Sequence, residues 1–453
     1  MSFKKDFVWG AATSAYQIEG AAFQDGKGWD IWDVFCKEKG KIYGGHSGDI
    51  ACDHYHRFRE DVALMKELGI KAYRFSINWS RVFPNGYGEV NKAGLNFYNE
   101  LINELCNAGI KPYITLYHWE MPYELYKKGG WLNRDIVEWF SDYAAFIVKE
   151  FSDRVTDYFT INEPQCVIGH GYLSGNHAPG YHAPIRDTFT MAHNILMAHG
   201  MAVKKMRAAA KQNIFIGIAP TGSMSYPDSN KPEDIEAARI HLTRSNDNLD
   251  YWAWNVTWWS DPIFFGEYPE DGMKIYRDYL PEFSKEDMKL ISQPIDIYGQ
   301  NIYNGNRIKM GEDGKPQVIK RYDGFPKSAL DWPLTPECLY WGPYYLYERY
   351  KTPIYITENG LSCHDVISSD GKVHDPNRID FTESYLKQLK RAIEDGVDVR
   401  GYFHWSLMDN FEWHSGYAER FGLIFVDYRN QKRIIKDSGY WYKKIISENG
   451  ESL

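Results

Sequence analysis

Two short stretches each carry a carboxylate to a place where a strand would end. ITENG, residues 356–360, sets Glu358 between a β-branched run and an Asn-Gly pair that stops a strand. TINEP, residues 160–164, sets Glu163 ahead of Pro164, whose ring biases the preceding residue towards extended geometry. Two acids flanking one bond are the least that glycoside hydrolysis needs. One donates a proton to the leaving oxygen; the other attacks the anomeric carbon or activates water, and their separation sets the stereochemistry. A single strand-end Glu is more often a structural or surface acid, but a pair set among polar aromatics points to chemistry.

For the two acids to meet, their strands must be parallel and must end on the same rim. Short β-branched or aromatic runs alternate with amphipathic stretches along the whole chain, which is the pattern of parallel βα units. Eight runs stand out: FVWGA near 7, AYRFS near 72, KPYITL near 111, DYFTIN near 157, IFIGIA near 214, DIYGQN near 296, PIYIT near 353 and VRGYFHW near 399. Residues 94–108 and 381–395 have apolar positions at helical spacing. Eight strands with no Pro- or Ser-rich linker predict an α/β chain, 1–453, folded as one closed (β/α)8 TIM barrel with its catalytic residues at the C-terminal strand ends. A doubly wound sheet would want a phosphate-binding turn after the first strand, and GAAFQDGK at 20–27 has the wrong spacing. The Trp- and Tyr-rich segments DYWAWNVTWW and LDWPLTPECLYWGPYY are expected as rim insertions over the mouth.

Composition narrows the function. Of the 453 residues, 43% are hydrophobic and 25% charged, as in an ordinary globular protein, whereas 16 Trp, 34 Tyr and 23 Phe exceed what a core needs. Amphipathic rings suit flat polar ligands such as sugars. A net charge of −9 without a basic block argues against nucleic acid and against an anionic membrane surface. The six cysteines, with no CxxC spacing, argue against a zinc ribbon or a disulfide scaffold and fit a reducing compartment. The opening MSFKKDFVWGAATSAY is read as strand rather than secretory signal, and no run is long enough to span a membrane, so the expected location is cytoplasmic. A homo-oligomer is left open.

The chain resembles the β-glucosidases of glycoside hydrolase family 1 nearly end to end. The resemblance rests on FVWGAATSAYQIEG at 7–20, YRFSINWSRVFP at 73–84, YHWEMP at 117–122, INEP at 161–164, ITENG at 356–360 and HWSLMDNFEWHSGYAERFGLIFVD at 404–427. It implies a retaining, exo-acting enzyme with Glu163 as acid/base and Glu358 as nucleophile, and with neither metal nor organic cofactor. It further implies that Gln17, His118, Trp119, Asn162, Glu412 and Trp413 hydrogen-bond the hydroxyls of the non-reducing sugar, that Trp405 stacks beneath it, and that Phe421 belongs to the same sugar site. Arg74 and Tyr303 would hold Glu358 ionised, and that anion would raise the pKa of Glu163. Trp332 would be the platform for the leaving group, with Cys166 and Val167 beside it. The expected substrate is a small β-glucoside such as cellobiose, a short oligosaccharide or an aryl glucoside, with side activity on galactosides or fucosides.

Some positions depart from the family pattern. Glu120 stands where Asp is usual, Asn78 where Ala is, and Ile302 where an aromatic is frequent, which bears on the fine shape of the entrance and the preferred leaving group; Cys338-Leu339, where Gly-Leu is common, bears on the Trp332 platform. Glu412, in place of the phosphate cradle of phospho-sugar enzymes, would repel a phosphate. Glu163 argues against a thioglucosidase, and the presence of both acids argues against a non-catalytic sugar-binding barrel. His54 and His56, with Asp49 and Asp53 nearby, raise a metal hydrolase as a competing reading, weakened because residues two apart rarely converge on one metal without a further ligand.

Overall fold

The computed structural model describes residues 3–453. Eight parallel strands close on themselves: β1 (Val8–Ala12), β2 (Ala72–Ser76), β3 (Lys111–Tyr117), β4 (Asp157–Asn162), β5 (Phe215–Ala219), β6 (Ile297–Asn301), β7 (Ile354–Asn359) and β8 (Val399–Trp405). Each pairs with its neighbours in sequence order, and β1 joins β8 in the register Val8 to Gly401 through Ala12 to Trp405, so no barrel edge is left unpaired. All eight expected runs are therefore barrel strands.

Sequence also explains how the interior is filled. Ala12, Ala72 and Ala219 face inward among Tyr113, Phe159, Tyr355 and Phe403, and small residues opposite aromatic ones fill a tube too narrow for rings on every strand. The helices outside present one apolar stripe each. In Lys92–Asn107, Phe97, Tyr98, Leu101, Ile102 and Leu105 are buried, at the spacing of one helical face. The helix expected over 381–395 begins a turn earlier, at Pro376, because proline is well suited to the first helical position, where no N–H is needed.

The expected rim insertions need correction. Trp252, Trp258 and Trp259 are buried, and Trp252 stacks on Phe189 of the outer helix Ile185–Ala209 with ring centroids 3.9 Å apart. Residues 338–350 form the outer helix that follows β6. Only Trp254, Leu330 and Trp332 of these two segments reach the mouth. Genuine additions there include a three-stranded sheet of Met224–Pro227, Gly305–Met310 and Pro316–Val318.

Candidate active site

Barrel topology puts the last residues of β4 and β7 on one rim, and the backbone there is irregular. The β4–β5 register shifts between Phe159 and Asn162, and the β6–β7 register shifts between Ile356 and Glu358. Such shifts re-aim side chains. Gly360 follows because the backbone of β8 passes too close for a side chain: a Cβ there would lie 1.7 Å from the Trp405 carbonyl oxygen.

Glu163 contradicts the extended geometry expected before a proline. Its φ of 43° and ψ of 67° are left-handed, a conformation that costs on the order of 1–3 kcal/mol for a non-glycine residue. Local bonds hold it there. Its N–H donates to the Ala219 carbonyl at 2.8 Å, and its own carbonyl accepts from the N–H groups of Cys166 and Val167 at 2.9 and 3.2 Å as the short helix Pro164–Ile168 begins. The chain turns from strand to helix within one residue, and the carboxyl stays in the mouth.

The two acids have different surroundings. Glu358 is held by donors on both oxygens: Arg74 Nη1 at 2.7 Å from Oε1 and the Tyr303 hydroxyl at 2.8 Å from Oε2. Burial pushes its carboxyl above the ordinary value, while Arg74 and Tyr303 draw it back. Glu163 has no cation in contact; Asn301 Nδ2 donates to Oε1 at 2.7 Å, and the Cys166 thiol lies 2.9 Å from Oε2. Its pKa is pushed up to about 7, chiefly by burial, a cause the sequence reading did not name, and secondly by the Glu358 charge that it did.

Arg74 also ties the site together. Its Nη2 donates to Asn162 Oδ1 at 2.6 Å and its Nε to Thr115 Oγ1 at 3.0 Å, so its planar fork joins β2, β3, β4 and β7.

The other expected site residues fall into two groups. His118, Trp119, Trp332, Trp405, Glu412 and Trp413 line a mouth cavity of about 410 Å³ together with both acids and Tyr303. Asn162 Nδ2 donates to His118 Nε2 at 3.1 Å, which leaves the proton on Nδ1, a buried atom with no partner in the chain. Burial and Arg74 hold this imidazole well below its usual pKa, so it is neutral. Glu412 Oε2 is likewise buried and unpartnered, and its pKa is pushed up to about 8 by burial and then by Glu358. These two unsatisfied groups face the space that a polyhydroxylated ligand would fill.

Gln17, Asn162, Arg74 and Phe421 stand behind that lining. The Gln17 amide nitrogen donates to Asn410 Oδ1 and the Phe411 carbonyl, and the Trp119 indole N–H donates to the Asn162 carbonyl at 3.0 Å. Phe421 packs against Tyr303 and Trp332 at 6.3 and 6.1 Å between centroids.

Two readings from the sequence change here, and the competing metal reading finds no support. Glu120, Asn78 and Ile302 are fully buried and none lines the cavity, so these departures do not shape the entrance. Burial pushes the Glu412 carboxyl up to about 8, so the case against a sugar phosphate rests instead on a lining without Lys or Arg. His54 bonds Asp61 at 2.7 Å while His56 bonds Asp53 and Gln24, and no group of three or more metal-ligand side chains gathers among the described residues.

Sequence reasoning missed Asn301, which reaches Glu163, and His170, His177 and His414 on the cavity wall. Asn301 did carry a signal, since β4, β6 and β7 all end in Asn, a residue otherwise poor in strands. The larger cavity of about 800 Å³, lined by Val8, Lys111, Asp157 and Val399, sits where strands begin, the end that serves stability in this architecture.

Comparison with known proteins agrees with this geometry. The family model described as glycosyl hydrolase family 1 matches residues 1–451. Beta-glucosidase A of Thermotoga maritima is 45% identical over 449 residues, covering 99% of this chain and 98% of that protein. Beta-glucosidase A of Acetivibrio thermocellus is 46% identical over 458 residues, covering 99% of each. The solved structure of the Thermotoga maritima beta-glucosidase in complex with glucoimidazole superposes with a TM-score of 0.90 at 45% identity, with 99% of each chain covered. By motif, fold and overall similarity, this chain belongs to glycosyl hydrolase family 1.

Proposed function

We propose that the chain, acting as one catalytic domain over residues 1–453, is a retaining, exo-acting β-glucosidase that releases the terminal non-reducing glucosyl unit of cellobiose, short β-gluco-oligosaccharides and aryl β-glucosides. The observation that carries this reading is the division between the two acids: Glu358 is bonded by donors on both oxygens, and Glu163 is buried without a cation in contact. The relatives named beta-glucosidase and the neighbour solved with glucoimidazole support the same substrate class.

In the first step Glu358 attacks the anomeric carbon as the bond to the leaving oxygen breaks, and Glu163 passes its proton to that oxygen. The resulting ester neutralises Glu358. The pKa of Glu163 then falls, and it takes a proton from the water that displaces Glu358, which restores both groups. The Nδ1–H of His118 and the free oxygen of Glu412 are the hydroxyl partners left open for the sugar, with Trp405 and Trp413 as ring faces. Nothing in this cycle calls for a metal or a cofactor. Six unpaired cysteines suit a cytoplasmic enzyme of β-glucan breakdown, and no helix among the described residues is long and apolar enough to cross a membrane.

A panel of nitrophenyl glycosides, assayed with and without chelator, tests the assignment. The gluco-configured substrate should be turned over with the highest kcat/KM and chelator should have no effect; a galactoside or fucoside preference, or loss of activity with chelator, would contradict it.

A further inference from the structure

Glu163 precedes Pro164, so the short helix Pro164–Ile168 begins with proline and its third residue is Cys166. Side chains of a helix lean back towards its N-terminus, and the left-handed backbone of Glu163 brings its carboxyl over that first turn. Two bonds then join the same two residues. The Cys166 N–H donates to the Glu163 carbonyl at 2.9 Å, and the thiol donates to Glu163 Oε2 at 2.9 Å. Cys166 is buried, yet it lines the mouth cavity together with Glu163, so this contact sits where the leaving oxygen must be protonated.

The two half-reactions make a demand that few side chains meet. Glu163 is an acid in the first and a base in the second, so a partner that strongly favoured one form would slow the other step. A cation or a hydroxyl favours the anion, as Arg74 and Tyr303 do at Glu358. A thiol is a weak donor and also a weak acceptor, so it can face the carboxylate and the carboxylic acid alike. Asn301 Nδ2, on the other oxygen, can only donate. Burial, and then the charge of Glu163, hold the Cys166 thiol well above its usual range, so it keeps its proton while Glu163 exchanges its own.

We propose that Cys166 is a positioning residue for the acid/base: its thiol donates to Oε2 while Glu163 is ionised, accepts while Glu163 is protonated, and so keeps the carboxyl in place through both half-reactions without fixing its charge. The proposal rests on the reading of Glu163 as acid and base. The other charged or titratable groups that act on Glu163 are Glu358 from β7, Arg74 from β2, Tyr303 beyond β6 and Glu412 beyond β8, with His118 and His170 as neutral imidazoles on the cavity wall. All of them stay in place when Cys166 is changed.

The test is the alkaline limb of kcat/KM for cellobiose, which reports the Glu163 proton, in the wild type, Cys166→Ser and Cys166→Val. Serine puts a stronger donor beside the carboxylate and should move the limb to lower pH by roughly half a unit to one unit; valine removes the donor and should move it to higher pH by a similar amount. A purely structural role would lower activity without moving the two limbs in opposite directions. The wild type gives a second reading even where a variant does not fold. One of its S–H infrared bands should shift to lower frequency as pH rises through about 7, because the bond to a carboxylate is stronger than the bond to its acid. Limbs that do not move in opposite directions, or S–H bands that ignore this pH range, would overturn the proposal. A wild type inert towards nitrophenyl β-glucoside is a different result, which would remove the acid/base reading itself and this proposal with it.

Discussion

Asn301 faces Glu163 with its nitrogen. Thr357 Oγ1 donates to Asn301 Oδ1 at 2.6 Å, which fixes the amide orientation, and Nδ2 then donates to Glu163 Oε1 at 2.7 Å. Oε2 in turn accepts from the Cys166 thiol at 2.9 Å, so both oxygens of the acid are held by neutral donors. The residue two places before Tyr303 thus orients the acid, while Tyr303 serves the other glutamate.

This arrangement sets a pH dependence. The free-enzyme kcat/KM for cellobiose should fall as pH rises through about 7, because Glu163 then loses the proton that the leaving oxygen needs. A dinitrophenyl glucoside needs no such proton in its first step and should show a weaker alkaline limb. Identical limbs for the two substrates would contradict the role of Glu163.

Replacing Glu163 by Ala separates the half-reactions. The variant should keep the first step for a dinitrophenyl glucoside, lose it for cellobiose, and be slow in the second step for both. Azide, a small anion that needs no base, should restore turnover of the activated substrate and give the β-glucosyl azide. An α-azide, or no rescue together with equal loss on both substrates, would count against double displacement.

Keeping Glu163 protonatable inside the barrel has a cost in stability. Its folded pKa lies above the unfolded value, so the stability it contributes is complete below the unfolded pKa and is lost as pH rises towards about 7, by about 3 kcal/mol in all. Glu163→Gln should therefore melt higher than the wild type at pH 8, and the gap should close near pH 4. Calorimetry at the two pH values checks this; a gap that widens towards acid would show the sign to be wrong.

Glu412→Ser removes the unpartnered oxygen offered to the sugar. Discrimination between glucoside and galactoside should weaken by about 1–3 kcal/mol in kcat/KM, the range for a buried polar group that reads a hydroxyl. An unchanged ratio would mean that Glu412 does not read the sugar.

Much of this was legible in the residues, and the failures have physical reasons. Eight strands could be read because barrel strands are buried on both faces and so appear as compact apolar runs. The Trp-rich segments were misplaced because burial in an outer layer and exposure at a rim look alike in composition; Trp252 and Trp254 are two residues apart, one stacked on Phe189 and the other in the mouth. The rule for residues before proline failed at Glu163, where the local bonds outweigh the strain. Asn301 escaped notice because its role depends on a neighbouring strand, and one strand's pattern does not contain that information.

The central claim is that Glu358 forms the covalent bond. Glu358→Gln should lower kcat by several orders of magnitude with binding largely kept, and retention of more than about a tenth would contradict the assignment. A more direct measurement is to trap the intermediate with a 2-deoxy-2-fluoro glucoside bearing a dinitrophenyl leaving group, digest the protein and sequence the labelled peptide by mass spectrometry. The label should sit on Glu358, within the peptide containing ITENG. Label on Glu163 or Glu412, or complete inactivation with no covalent label anywhere, would contradict the account.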